Sequence, residues 1–277
     1  MTGTYESDGA RLAFSDNAAG VPVVFLHPTP LDGDYWRPVV QELPEIRAII
    51  PDLRGHGASE LGRSLPVGGF TYVPDAPVMT MAQLGSDVLA LLDHLQVKDA
   101  FFAGCSIGGY VLLELWRRAP QRMRGLAFIC SKPQPDTEAG FAKRAATIAT
   151  ARADGVARVF DGMAQNLIGA STRKHRPQVL AELRARMTLS LDALVAVQAG
   201  LATRPNSAPT VATINVPVLS IAGGEDPAIT PAEMGAFSVA PGGCEQHLLQ
   251  NAGHLAAYEQ PHKVAALMAD WLRRHGA

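Results

Sequence analysis

The chain has 277 residues, 47% of them apolar and 18% charged, enough to bury a full core in one large domain or a domain with an insertion. Its formal net charge of -2 speaks against nucleic acid as a main partner, since phosphate binding needs a clear basic excess. Three cysteines, Cys105, Cys130 and Cys244, are too few and too odd in number for a disulfide framework. The polar start Thr4-Tyr5-Glu6-Ser7-Asp8 does not resemble a signal peptide, and the first apolar run, Val21 to Leu26, is too short to cross a bilayer. A reduced, cytoplasmic protein without a membrane partner is expected.

In chain order, Leu12 to Asp16 reads as a strand after the Asp8-Gly9 turn, so the chain opens on a hairpin. Val23-Val24-Phe25-Leu26 is a continuous apolar run, the pattern of a strand covered on both faces. It feeds His27-Pro28-Thr29-Pro30, where two prolines forbid helix and ladder pairing. A helix is expected from Trp36 to Leu43 and a strand from Arg47 to Ile50. The glycine-rich loop Asp52-Leu53-Arg54-Gly55-His56-Gly57-Ala58-Ser59 follows, then an irregular, proline-bearing excursion from Leu61 to Met79. Met81, Leu84, Val88, Leu91, Leu92 and Leu95 recur at helical spacing behind Thr80, a suitable N-cap. Ala100 to Ala103 is a short buried strand, Tyr110 to Ala119 a largely buried helix, and Arg124 to Cys130 another strand. Strands alternating with helices predict a mostly parallel sheet with helices on both faces.

From Lys132 to about Pro209 the pattern is helical throughout: Phe141 to Ala153, Val156 to Leu167, Gln178 to Leu189 and Leu191 to Ala202. Alternation resumes with a strand at Val216 to Ile221, a helix after Pro231, a strand at Glu245 to Leu249 and an amphipathic helix from Gln260 to Arg274. The expected organisation is a core of residues 1–131 and 210–277 with a helical cap over 132–209.

The candidate chemistry centres on Gly104-Cys105-Ser106-Ile107-Gly108-Gly109, a Gly-x-Ser-x-Gly run between strand and helix. A serine hydroxyl is a poor nucleophile at neutral pH and needs a histidine base held by a carboxylate. Asp226 follows the Val218 to Ile221 strand and His254 follows the Glu245 to Leu249 strand, so both sit at strand carboxyl ends, in the chain order such a site requires. Glu225 is the acidic neighbour that could compete with Asp226. Two backbone N–H groups are candidates for an oxyanion hole: Ile107, which opens the helix, and Thr29, the donor left between two prolines.

Together these motifs resemble the α/β-hydrolase fold family. His27 to Trp36 is similar to its oxyanion loop, Asp52 to Ser59 to its Asp-x-Arg-Gly-x-Gly-x-Ser loop, Gly104 to Gly109 to its elbow, and Asp226 and His254 to its acid and base. The resemblance spans nearly the whole chain, with 3-oxoadipate enol-lactonase-like and carboxylesterase-like members nearest. It implies an eight-stranded sheet, an inserted helical cap and no cofactor. Pro28 departs from the family's usual glycine after the loop histidine. A serine nucleophile argues against haloalkane dehalogenases and epoxide hydrolases, and the absence of a lysine after His254 argues against hydroxynitrile lyases. Pro30 lies where perhydrolase-type members carry proline.

The expected activity is therefore hydrolysis of a small-molecule carboxylic ester or lactone through Ser106, His254 and Asp226. Peracid formation by a cofactor-free haloperoxidase, carbon–carbon bond hydrolysis with the same triad, and a non-catalytic binding protein are the alternatives. Met163, Leu167 and Trp36 are candidate substrate contacts, Trp36 being equally suited to packing its loop. His27 and His56 suit hydrogen bonds that pin backbone, and Cys105 suits packing. The other histidines lack acidic or cysteine partners at metal-ligand spacing, so no metal site is expected. Between Lys132 and Pro209, eleven Lys and Arg face six Asp and Glu, giving 11 - 6 = +5. That excess reads either as solvated helix faces or as a basic roof attracting anionic substrates.

Overall fold

The computed structural model describes residues 2–62 and 65–276, so part of the expected excursion from Leu61 to Met79, residues 63 and 64, lies outside the described residues. The strands are β1 (Thr2–Ser7), β2 (Ala10–Asp16), β3 (Val21–Leu26), β4 (Ile46–Pro51), β5 (Ala100–Cys105), β6 (Met123–Ile129), β7 (Val218–Gly223) and β8 (Cys244–Leu249). They form one sheet in the order β1-β2-β4-β3-β5-β6-β7-β8. The β1–β2 hairpin is antiparallel and joins β4 antiparallel; every pairing from β4 through β3 to β8 is parallel. The carboxyl ends of six strands therefore share one edge, the edge on which open parallel sheets bind ligands.

Burial follows position in the sheet. Every residue of β5 and of β7 is buried, whereas β2 and the edge strand β8 include exposed positions. Central strands covered on both faces cannot alternate, which is why their sequences read as apolar runs, interrupted in β7 only by the buried Ser220. Gly125 of β6 shows how tightly the cover fits. A Cβ there would stand 2.8 Å from the Phe101 ring and 2.9 Å from Trp271, whose rings meet edge-to-face at 5.5 Å.

The Met81–His94 helix starts where expected, the Thr80 hydroxyl accepting from Gln83 N–H at 3.0 Å, a cap worth about 1 kcal/mol. The predicted Trp36 to Leu43 helix is instead a 3-10 turn, Gly33–Trp36, followed by a single α turn, Arg37–Val40, with proline in its first turn. Between β6 and β7 the described residues hold six helices and no strand: Glu138–Asp154, Val156–Leu167, Ala170–His175, Gln178–Ala185, Leu191–Ala202 and Ala208–Val211. Ala170–His175 was not foreseen; it is short, begins at Gly169 and gives out before Pro177. The predicted helix to Leu189 ends at Ala185. Leu191–Ala202 is buried at all ten positions from Ala193 onward, as an apolar helix without a polar face must be. It abuts the core at Gly200, where a Cβ would fall 1.8 Å from the Met79 carbonyl, and Met79 N–H donates to Ala196 O at 3.0 Å.

Candidate active site

At the end of β5 the chain turns so sharply that Ser106 sits at φ 53°, ψ -115°, a region that costs a side-chain-bearing residue about 1–3 kcal/mol. The neighbours make this turn possible by having no side chain. A Cβ on Gly104 would lie 2.5 Å from Gly108 carbonyl carbon, and one on Gly108 would lie 2.3 Å from Leu26 O. Ser106 N–H donates to Ile129 O at 3.1 Å, and the Ser131 hydroxyl donates to Ser106 O at 3.0 Å. Cys105 points the other way into packing, where it accepts from the Tyr35 hydroxyl at 3.2 Å; burial pushes its thiol well above the usual range.

Two strands over, Asp226 lies in the turn after β7. Its Oδ1 accepts from Ala228 N–H at 2.8 Å and Ile229 N–H at 3.0 Å, leaving Oδ2 for His254 Nδ1 at 2.8 Å. Both side chains are buried, at 0% and 5% exposure. A carboxylate can only accept, so Nδ1 of the neutral imidazole carries the proton and Nε2 keeps its lone pair. Glu225 is spoken for elsewhere. Its carboxylate accepts from Ser171 N–H at 2.8 Å and from the Ser171 hydroxyl, contacts that hold it below the usual carboxylate range.

The loop after β3 is pinned by two buried histidines. His27 Nε2 accepts from Leu53 N–H at 2.8 Å, and Nδ1 meets Pro28 O at 3.1 Å. His56 Nδ1 donates to Arg54 O at 2.9 Å, so its Nε2 accepts from the Thr29 hydroxyl at 2.9 Å. Burial lowers His27 to about 4 and His56 to about 3, so both stay neutral across the ordinary pH range. Asp52 ties this loop to the next, Oδ1 accepting from Gly33 N–H at 2.8 Å and Oδ2 from Ala58 N–H at 2.9 Å. Among the described residues neither Thr29 N–H nor Ile107 N–H has an acceptor. The peptide between Thr29 and Pro30 is cis.

The remaining candidates divide. Trp36 has no exposed surface and packs on Phe25 and Tyr35, ring centroids 5.3 and 5.0 Å away, so the structure makes it a core residue rather than the substrate contact expected. Trp36 closes the 3-10 turn that stands at the start of the predicted helix, with its indole inward. Leu167 closes the Val156–Leu167 helix beside the histidine loop, its carbonyl accepting from Leu255 N–H at 3.2 Å; Met163 is half-buried one turn earlier. The basic excess of the helical segment is largely neutralised. Lys132, Arg144, Arg152, Arg184, Arg186 and Arg204 all pair with carboxylates, and Arg173 and Arg176 donate to backbone carbonyls. A surface hollow of about 700 Å³ between Glu6, Glu60 and Asp192 touches none of these site residues.

Several supporting residues escaped sequence reasoning. Arg54, 2% exposed, forms a bidentate pair with Asp87, Nε–Oδ2 2.9 Å and Nη2–Oδ1 2.7 Å, with Ser7 completing the set. The signal was present: Asp87 falls on the apolar face with Leu84, Val88 and Leu91, where a charge needs a partner. Ser131 and Glu259 gave no such signal. Glu259 is 1% exposed, and its carboxylate accepts from Gly253 N–H at 2.8 Å and Gly169 N–H at 3.0 Å.

Topology and edge chemistry together are those of an α/β-fold hydrolase. A sequence profile of the alpha/beta hydrolase family matches residues 23–267, and the chain belongs to that family. It is 28% identical over 261 residues to 3-oxoadipate enol-lactonase 1 of Acinetobacter baylyi, covering 91% of this chain and 88% of that protein. Among solved structures, a thermophilic esterase from Thermogutta terrifontis superposes with a TM-score of 0.87 at 29% identity, covering 99% of this chain and 97% of the other. The enol-lactonase from Burkholderia xenovorans LB400 gives 0.85 at 25% identity, covering 98% and 100%.

Proposed function

We propose that this protein hydrolyses a small carboxylic ester or lactone through a Ser106–His254–Asp226 triad and an acyl-enzyme. The observation that carries the reading is the buried Asp226–His254 hydrogen bond on the strand edge that also bears the strained Ser106. His254 Nε2 takes the proton as Ser106 Oγ attacks the carbonyl carbon. Asp226 holds the ring and stabilises the imidazolium. The N–H groups of Thr29 and Ile107, both without an acceptor among the described residues, receive the charge on the carbonyl oxygen, assisted by the positive end of the Ile107–Arg118 helix. His254 then protonates the leaving alcohol, and water repeats the sequence on the acyl-enzyme. For a lactone the leaving alcohol stays tethered to the acyl group, so ring opening gives one product.

In this reading the helical segment is a cap, with Met163 and Leu167 facing the acyl group. The similarity to an esterase and two enol-lactonases supports an ester bond as the target over a carbon–carbon bond. Ser106→Ala should lower turnover of p-nitrophenyl acetate by about 10⁴-fold or more while the thermal unfolding curve keeps its shape. Turnover that persists in this variant would end the proposal.

A further inference from the structure

His254 lies in a loop whose conformation is shared with the helical segment. Gly253 and Gly169 touch backbone to backbone: a Cβ on Gly253 would stand 2.3 Å from Gly169 N, and one on Gly169 would stand 2.8 Å from Gly253 N. Two glutamates clasp this contact from opposite sides. Glu225, the residue before the triad acid, accepts from both the N–H and the hydroxyl of Ser171. Glu259 gives one oxygen to Gly253 N–H, immediately before the triad base, and the other to Gly169 N–H in the helical segment. Arg176 donates to Glu259 O at 2.7 Å. Leu255 N–H, on the far side of His254, donates to Leu167 O at 3.2 Å.

We propose that Glu259 is a positioning residue for His254, its single carboxylate locking the histidine loop to the Gly169–Thr172 turn so that the seat of the helical segment sets the placement of the general base. A carboxylate suits this task because it is acceptor on both oxygens, and the two N–H donors it meets belong to different parts of the chain. Glutamine cannot replace it: its amide nitrogen would confront one of the two N–H groups. Burial holds the Glu259 carboxyl above the usual range, a cost the fold bears to keep both contacts. The loop has little slack to absorb a loss at Glu259. Gly223 passes so close that a Cβ there would fall 2.1 Å from Gly253 O, and Glu225 N–H already donates to Ala252 O at 2.8 Å. A slackened Gly253 therefore moves His254 relative to Ser106, and displacements of an ångström at a reacting group cost up to about 10²-fold in rate.

The proposal rests on the serine-hydrolase reading, and one set of measurements separates the two. Wild type, Glu259→Gln and Gly169→Ala are titrated for active sites with a fluorophosphonate, then assayed on p-nitrophenyl acetate. Labelling of wild type at Ser106 supports the parent reading; no labelling overturns both. With labelling present, Glu259→Gln is expected to lose roughly tenfold to a hundredfold in kcat per titrated site, with KM little changed and a parallel fall in the labelling rate. Gly169→Ala, whose Cβ would press on Glu225 Oε2 at 2.6 Å and Gly253 N at 2.8 Å, disturbs the same contact from the helical segment and should give the same signature. Wild-type kcat and labelling rate per titrated site in both variants, with the damage confined to the fraction of folded molecules, would overturn the positioning role and leave the triad standing. Should Glu259→Gln fail to fold, Glu259→Asp, which keeps two acceptor oxygens on a shorter arm, decides by the same two readouts.

Discussion

Ser106 and Thr29 are held by the sheet's own loops: Ser131 and Ile129 on one, His56 and Asp52 on the other, with the buried Arg54–Asp87 pair behind them. Asp226 and His254 are held differently. Their loops carry Glu225 and Glu259, and both carboxylates are spent on the helical segment between β6 and β7. The nucleophile side is thus a property of the core, with His56 held neutral by burial. The acid–base side is a joint product of core and helical segment. Rates and stabilities should separate along the same line.

The largest effect should come from breaking the acid–base side at its centre. Asp226→Asn is expected to lower kcat about 10⁴-fold by favouring the wrong histidine tautomer, with thermal stability little altered. Glu225→Gln, one residue away, should cost far less, because Glu225 faces Ser171. Equal losses in steady-state assays would reverse the assignment of the acid. On the nucleophile side, Asp87→Asn leaves Arg54 buried without its partner and should cost about 3–5 kcal/mol in urea unfolding. Its kcat per folded molecule should stay near wild type; a collapse in kcat would show that the core side is less self-contained than its contacts indicate.

A smaller effect distinguishes the two sides by pH. His56 is lowered from 6.5 to about 3 in the folded protein, so between those values the unfolded chain binds a proton that the native one does not. Stability then rises with pH, and acidification from 7.5 to 4.5 removes about 2–3 kcal/mol through this residue. His56→Gln should flatten the urea-unfolding stability by that amount over the same range. An unchanged pH dependence in the variant would mean that His56 takes up a proton in the native loop.

Much of this arrangement was legible along the chain. The apolar runs of β3, β5 and β7, the Gly-x-Ser-x-Gly junction, and an acid and a histidine each directly after a strand are local patterns. Parallel topology converts them into a common edge without further information. Trp36 was not legible. The same indole serves against substrate or against Phe25 and Tyr35, and the choice was made by a 3-10 turn that ends on Trp36, where the predicted helix was to begin. The basic excess left two readings open for a similar reason: net charge is additive along a segment, but Asp32, Asp75 and Glu233, which neutralise three of its cations, lie outside it.

By itself the sequence determined the fold family, the edge of the sheet that carries chemistry and the identity of Ser106, Asp226 and His254 as its candidates, because each depends on residues close together in the chain. Tertiary structure alone decided which of two adjacent carboxylates faces His254 and which is committed to Ser171, why Arg54 needs Asp87, and that Glu259 joins Gly253 to Gly169. All but the Glu259–Gly253 bond are contacts between residues tens of positions apart. Their energy comes from burying a charge or donor against one particular partner, and only the folded chain selects that partner.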